Sequence, residues 1–224
     1  MPAPAPAPYT GHVEPGGPAS RRVLVDVEIL KVSVGEMDNN AYLLTCRHTG
    51  ERVLIDAAAE PDRLLALIGP GPLSTVVTTH RHADHWQALA AVATRTGATC
   101  AAHALDAEAL PVPIDTTLED GDLLRLGSST LQVVHLGGHT PGSIALVYDD
   151  PSGSAHLFTG DALFPGGVGG PWGDRQAFDT LFGNVRRRLF EVYDDGAWVY
   201  PGHGDDTTLG RERPYLEQWA ARGW

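Results

Sequence analysis

Lysine occurs once in these 224 residues, at Lys31, and cysteine only twice, at Cys46 and Cys100. No CxxC pair exists, which excludes a zinc cluster built from thiolates, and two thiols are too few for a disulfide scaffold. That usage suits a reducing compartment, so a cytoplasmic location is expected. No apolar run approaches the ~18 residues that a membrane span requires. A GxSxG nucleophile elbow is missing, and Ser143 in Pro141-Gly142-Ser143 reads as a turn residue. The glycine-rich residues 166–170 lack the Lys and Ser/Thr of a phosphate loop and read as a pocket rim. Basic residues number 16 against 28 acidic ones, a net charge of −12. A surface of that sign argues against nonspecific binding to nucleic acid or to an anionic membrane. The expected partner is a small-molecule substrate.

Residues 1–20 alternate Pro with Ala and then run into Gly and Pro. They carry no charged start followed by an apolar core, so they do not read as a secretory signal. They are expected to form a Pro-rich disordered tail in which His12 has no role. Residues 21–224 are expected to form one domain. Residues 23–34, 41–46, 52–55, 73–78 and 98–102 read as strands from their β-branched content and the turn residues that bound them. Residues 62–68 and 84–96 read as helices, the first opened by Pro61 and the second closed by Gly97. The second half reads as mostly strand, with helices at residues 178–190 and 212–221. Two β-rich halves that each carry helices predict two sheets back to back with helices outside.

The informative segment is Thr79-His80-Arg81-His82-Ala83-Asp84-His85, lying between a buried strand and a helix. Four ligand-type side chains fall within six residues. In an extended turn His80 and His82 point to the same side, because side chains alternate with period 2. Asp84 and His85 then turn toward a neighbouring position, so one loop can serve two adjacent cations. Further ligand-type residues stand alone after strands, each beside glycine: His139 in Gly137-Gly138-His139-Thr140, Asp161 in Thr159-Gly160-Asp161, and His203 in Pro201-Gly202-His203-Gly204. Four strand ends on one edge would converge these loops on a single cleft. His48, His103, His135 and His156 lack such context and read as packing or surface histidines.

The HxHxDH pattern of His80, His82, Asp84 and His85, continued by His139, Asp161 and His203, resembles the metallo-β-lactamase-fold hydrolases. The resemblance covers nearly everything after the tail and implies a four-layer αββα sandwich of the α/β class. It implies that His80, His82 and His139 hold one metal, that Asp84, His85 and His203 hold a second, and that Asp161 bridges them. Asp56, in Leu54-Ile55-Asp56, matches a strand-end aspartate that buttresses the metal loop in that family. An aspartate at 161 with the full HxHxDH is similar to the glyoxalase II (hydroxyacylglutathione hydrolase) branch. The sequence departs from many relatives at residues 169–174, Gly-Gly-Pro-Trp-Gly-Asp, and carries Trp86 where a smaller residue is common. The sequence given ends soon after His203, short of the C-terminal helical domain that holds much of the glutathione in the longer enzymes.

The function implied is metal-dependent hydrolysis of a small-molecule thioester or related ester by a metal-bridging hydroxide, with Asp84 orienting that hydroxide as well as binding metal. Two divalent ions are expected, zinc first, with iron or manganese compatible with the same His and carboxylate ligands. Two other reactions fit the same residues: a mononuclear iron persulfide dioxygenase, since Thr159-Gly160-Asp161-Ala162-Leu163 is similar to those enzymes, and a metal-dependent lactonase.

Overall fold

The computed structural model describes residues 9–170 and 173–223. Its first half runs β1 (Ser20–Val23), β2 (Val27–Val34), β3 (Asn39–Cys46), β4 (Arg52–Ile55), α1 (Pro61–Ile68), β5 (Leu73–Thr78), α2 (Leu89–Thr96), β6 (Thr99–His103), α3 (Ala104–Ala107) and β7 (Thr116–Leu118). These strands form a seven-stranded sheet in chain order, antiparallel from β1 to β4 and parallel from β4 to β7. The second half runs β8 (Leu123–Leu126), β9 (Ser129–His135), β10 (Ile144–Asp149), β11 (Ala155–Gly160), β12 (Leu163–Phe164), β13 (Gly167–Val168), α4 (Arg175–Val185), β14 (Trp198–Pro201), β15 (Thr207–Thr208), α5 (Leu209–Glu212) and α6 (Leu216–Arg222). Six of these strands form the second sheet, ordered β15-β14-β11-β10-β9-β8, and β12 and β13 form a separate hairpin.

Alternation along each strand sorts the side chains into three apolar layers. Ile29, Leu44, Val53 and Val77 of the first sheet meet Val133, Leu146, Phe158 and Tyr200 of the second. Their neighbours Leu43, Leu54 and Val76 face the other way, onto Leu64 and Ile68 of α1 and Leu89 and Val92 of α2. Across the molecule, Ala145, Val147, Leu157 and Val199 pack on Phe178, Leu181 and Val185 of α4 and Trp219 of α6. Both faces of each central strand are buried, which is why these strands read as continuous apolar runs rather than alternating ones. The result is the expected αββα sandwich.

The helix expected over residues 84–96 is a correction. Residues Ala83–His85 form a 3₁₀ turn and α2 begins only at Leu89. The backbone N–H groups of Gln87 and Ala88 donate instead to the carbonyls of Ala58 and Ala57, so tertiary bonds override local helix propensity. At the C-terminus the helix expected over residues 212–221 begins later: Pro214 falls in a 3₁₀ turn, Arg213–Tyr215, between the short α5 that ends at Glu212 and α6 that starts at Leu216. Asp174 caps α4 three residues earlier than the apolar pattern indicated, and a π-helical turn, Arg186–Phe190, extends it.

The expected disordered tail is also corrected for the residues described. Gly11 and Val13 are buried. Tyr9 donates its hydroxyl to Asp206 at 2.6 Å, and the Gly11 carbonyl accepts from Lys31 at 2.7 Å. The segment is held by single residues against a buried charge pair, an arrangement that leaves no periodic signature. His12, expected to be idle, lies 2.6 Å from an Asp205 carboxylate oxygen on the surface. Residues 1–8 of the predicted tail lie outside the described residues. Among those described, no helix is long and apolar enough to cross a membrane.

Candidate metal centre

Strands β4, β5, β9, β11 and β14 deliver their C-terminal loops to one edge of the sandwich. There the sequence-predicted residues come together in overlapping groups, each with ligand atoms within 4.8 Å of one another: His80, His82 and His139; His80, His85 and Asp161; Asp84, His85 and His203. Asp161 is the hub. Its Oδ2 lies 4.0 Å from His80 Nε2, 3.5 Å from His139 Nε2 and 3.5 Å from His203 Nε2, and its Oδ1 lies 3.2 Å from His85 Nε2. Asp84 Oδ2 stands 3.3 Å from His203 Nε2 and 3.5 Å from His85 Nε2.

The rings are aimed by their far nitrogens. His85 Nδ1 donates to Asp56 Oδ2 at 2.8 Å, and His203 Nδ1 donates to the Met37 carbonyl at 2.8 Å. The Thr79 hydroxyl donates to Asp56 at 2.8 Å and faces His80 Nδ1 at 3.1 Å, so it accepts from that nitrogen. In each case Nε2 is turned toward Asp161, the nitrogen a metal would take once it is unprotonated. Asp56 also accepts from the Thr79 backbone N–H at 2.8 Å and is held at φ 57°, a left-handed conformation unusual for a non-glycine residue. It thus stands behind the loop, in contact with Thr79 and His85.

Charge sorts the histidines. Burial holds the His80 pKa well below its ordinary value and pushes His139 down to about 4. Burial also lowers His82. For His85 burial works in the same downward sense, but Asp56 and Asp161 outweigh it and raise the pKa to about 10. His203 is raised by Asp161 against its burial. Burial would raise the Asp161 pKa, yet His203 and His85 hold it far below the usual carboxylate range. Neither ring nitrogen of His139, whose side chain is 5% exposed, has a side-chain hydrogen-bond partner among the described residues. Orphaned polar atoms of this kind call for a partner that the described residues do not supply. Imidazole nitrogens and a carboxylate converging at 3–4 Å are a donor set suited to transition-metal ions.

Two glycines are required by this crowding. A Cβ on Gly202 would sit 2.2 Å from Asp161 Oδ1, and one on Gly169 would sit 1.9 Å from the Asp161 carbonyl oxygen. Three polar residues were not found from sequence. Asn39 donates from Nδ2 to Asp84 Oδ2 at 2.9 Å, and Asn40 donates to the carbonyls of Pro201 and Gly204, fixing the His203 loop. Asp106, buried after β6, accepts from Arg81 N at 3.1 Å, Gly142 N at 2.9 Å and the Thr140 hydroxyl. It therefore ties the loop of His80 and His82 to the loop of His139. Adjacent Asn residues in an apolar strand and an aspartate just after a buried one were the available signals. His135 packs as expected: it stacks on His103 at 4.2 Å and donates to the Pro141 carbonyl at 2.8 Å. The departure at residues 171 and 172 lies outside the described residues.

Comparison with known proteins agrees with this geometry. A hydroxyacylglutathione hydrolase of Cereibacter sphaeroides is 40% identical over 133 residues, 59% of this chain and 51% of that protein. The chain thus spans about half the length of that curated relative. The crystal structure of ETHE1 from Myxococcus xanthus superposes with a TM-score of 0.73 at 30% identity, covering 86% of this chain and 84% of the other. TTHA1623 in a di-iron-bound form gives a TM-score of 0.67 at 36% identity, covering 82% and 96%. The family model described as the metallo-beta-lactamase superfamily matches residues 34–203, a span that begins at the end of β2 and closes on His203, and the chain belongs to that superfamily.

Proposed function

We propose that the chain is a metal-dependent hydrolase of a small-molecule thioester or related ester, acting with two divalent ions. The observation that carries this is the position of Asp161, within 4.0 Å of His80 and His139 on one side and of His85 and His203 on the other. His80, His82 and His139 would hold the first ion, Asp84, His85 and His203 the second, and Asp161 both. Two ions so held, zinc first among the candidates, would lower the pKa of water toward neutrality and polarise a carbonyl.

The rest of the work belongs to the chain. Burial keeps His80, His82 and His139 neutral, the form in which imidazole is a ligand. Asp84, anchored through Oδ2 by Asn39, orients the attacking water. The water oxygen adds to the thioester carbonyl carbon, the C–S bond then breaks, and the products are a carboxylate, a thiol that takes up one proton of the water, and one proton released to solvent. Phe164 of the β12–β13 hairpin lies with its ring centroid 6.2 Å from that of His203. Similarity to hydroxyacylglutathione hydrolases supports the thioester class, and two free buried cysteines support a cytoplasmic site of action.

The likeness to ETHE1 favours one second reading, a mononuclear iron persulfide dioxygenase. A lactonase would use the same metal ligands. Metal analysis of freshly purified protein, with a panel of thioesters, lactones and a persulfide and with oxygen uptake recorded, separates them. Thioester turnover without oxygen uptake is expected. Oxygen uptake with persulfide and a single bound iron would overturn the hydrolase.

A further inference from the structure

A cavity of about 430 Å³ opens beside His139, lined also by Arg81, Gly138, Asp174, Gln176 and Thr180. It lies next to the candidate metal centre but uses a side chain that the centre does not. Arg81 stands between His80 and His82, and its backbone is pinned on both sides: the N–H donates to Asp106, and the carbonyl accepts from the Trp86 indole at 2.8 Å. Its side chain is 44% exposed. The guanidinium makes no hydrogen bond to any described residue. The carboxylate near it, Asp106, is 3.9 Å from Nε and already accepts from Arg81 N, Thr140 and Gly142. The other acid in the lining, Asp174, spends Oδ1 on the N–H groups of Gln176 and Ala177 at the start of α4.

A fixed backbone therefore carries a guanidinium fork, ion-paired through Nε with Asp106 but hydrogen-bonded to no described side chain, into a cavity that shares His139 with the metal centre. We propose that Arg81 anchors a carboxylate on the thiol-carrier half of the substrate while the thioester carbon lies at the metal centre. The inference rests on the thioester reading given above. A guanidinium matches a carboxylate through two parallel N–H···O bonds. Arg81 is the lone cationic side chain among the described lining residues, which fits a monoanionic group rather than a doubly charged phosphate. On a chain of net charge −12, a local cation also offsets the general repulsion of an anionic substrate.

The test is binding of two thioethers that cannot be cleaved, S-benzyl mercaptoacetylglycine and its glycinamide, to the metal-loaded protein by calorimetry. The wild type should prefer the carboxylate by roughly tenfold or more, the size of a charge-assisted hydrogen-bonded pair. Arg81→Met, which keeps the aliphatic stem, should abolish the preference with the glycinamide bound as before. Arg81→Lys, with charge but no fork, should retain part of it. A preference that survives in Arg81→Met, as when the carboxylate sits on the metals, would overturn the proposal, and so would equal binding of both probes by the wild type. Hydrolysis is not part of the readout. Carboxylate preference without cleavage of any thioester would therefore overturn the proposed reaction and leave the Arg81 subsite standing.

Discussion

The ammonium of Lys31 lies 2.7 Å from Asp206 Oδ1, and both side chains are 0% exposed. Lys31 also donates to the carbonyls of Gly11 and Gly204, and Asp206 accepts from Tyr9 and from the Trp198 indole. The pair thereby joins the N-terminal segment to the loop that carries His203. Burial raises the Asp206 pKa and the Lys31 charge opposes that shift, so each charge is tolerated through the other.

Breaking that pair should be costly. Lys31→Met leaves a buried carboxylate without its counter-ion and is expected to destabilise the fold by about 3–5 kcal/mol. Deleting residues 1–13 removes the Tyr9 and Gly11 contacts and should cost about 1–3 kcal/mol. Urea unfolding checks both. A deletion variant as stable as the full chain would show the segment to be dispensable, as its sequence alone indicates.

What the sequence revealed depends on how local each determinant is. The HxHxDH loop is legible because four ligand-type side chains within six residues have few other uses. His139, Asp161 and His203 follow once glycine-flanked positions after strands are compared with it. The tail misleads because its composition is that of a mobile segment, whereas its order comes from Tyr9 and Gly11 meeting residues nearly 200 positions away. The start of α2 misleads because Ala57 and Ala58 capture N–H groups that the local pattern assigns to a helix. Asp106 is silent because its partners, Arg81, Thr140 and Gly142, are distant in sequence.

Asp106→Asn should loosen the first ion selectively. An amide keeps one acceptor and sets an NH₂ against a backbone or hydroxyl donor, so the His80–His82 loop and the His139 loop lose their common tie. Affinity for the ion held by His80, His82 and His139 is expected to fall about 10–100-fold, the usual effect of removing a group that orients ligands. Competition titration with a chromophoric chelator measures this. Equal weakening of both ions would point to general destabilisation.

Acid should weaken the fold through His156. Burial, helped by the Arg22 charge, lowers its pKa from 6.5 to about 4, while Nδ1 meets the Tyr200 hydroxyl at 2.9 Å and Nε2 has no partner among the described residues. The folded pKa lies below the unfolded one. The unfolded chain therefore takes up the proton first, and the contribution present above pH 6.5 is lost as pH falls toward 4. At about 1.4 kcal/mol per unit, the loss amounts to about 3 kcal/mol. Denaturant unfolding at neutral pH and near the lower end of that window should show a steeper decline for the wild type than for His156→Gln. Parallel declines would remove His156 as the cause.

The central claim is that two ions share Asp161, and metal content measured by mass spectrometry on Asp161→Ala and Asp84→Asn beside the wild type tests it most directly. Unit charges ~4 Å apart repel by about 4 kcal/mol even at an effective dielectric of ~20, and divalent ions repel more, so removing the intervening carboxylate is severe. The wild type should hold two ions per chain. Asp84→Asn, which keeps an oxygen at one position, should retain at least one ion and lose turnover, and Asp161→Ala should lose the second ion outright. Two ions retained in Asp161→Ala, or a wild type that accepts only one at saturating zinc, would contradict the account.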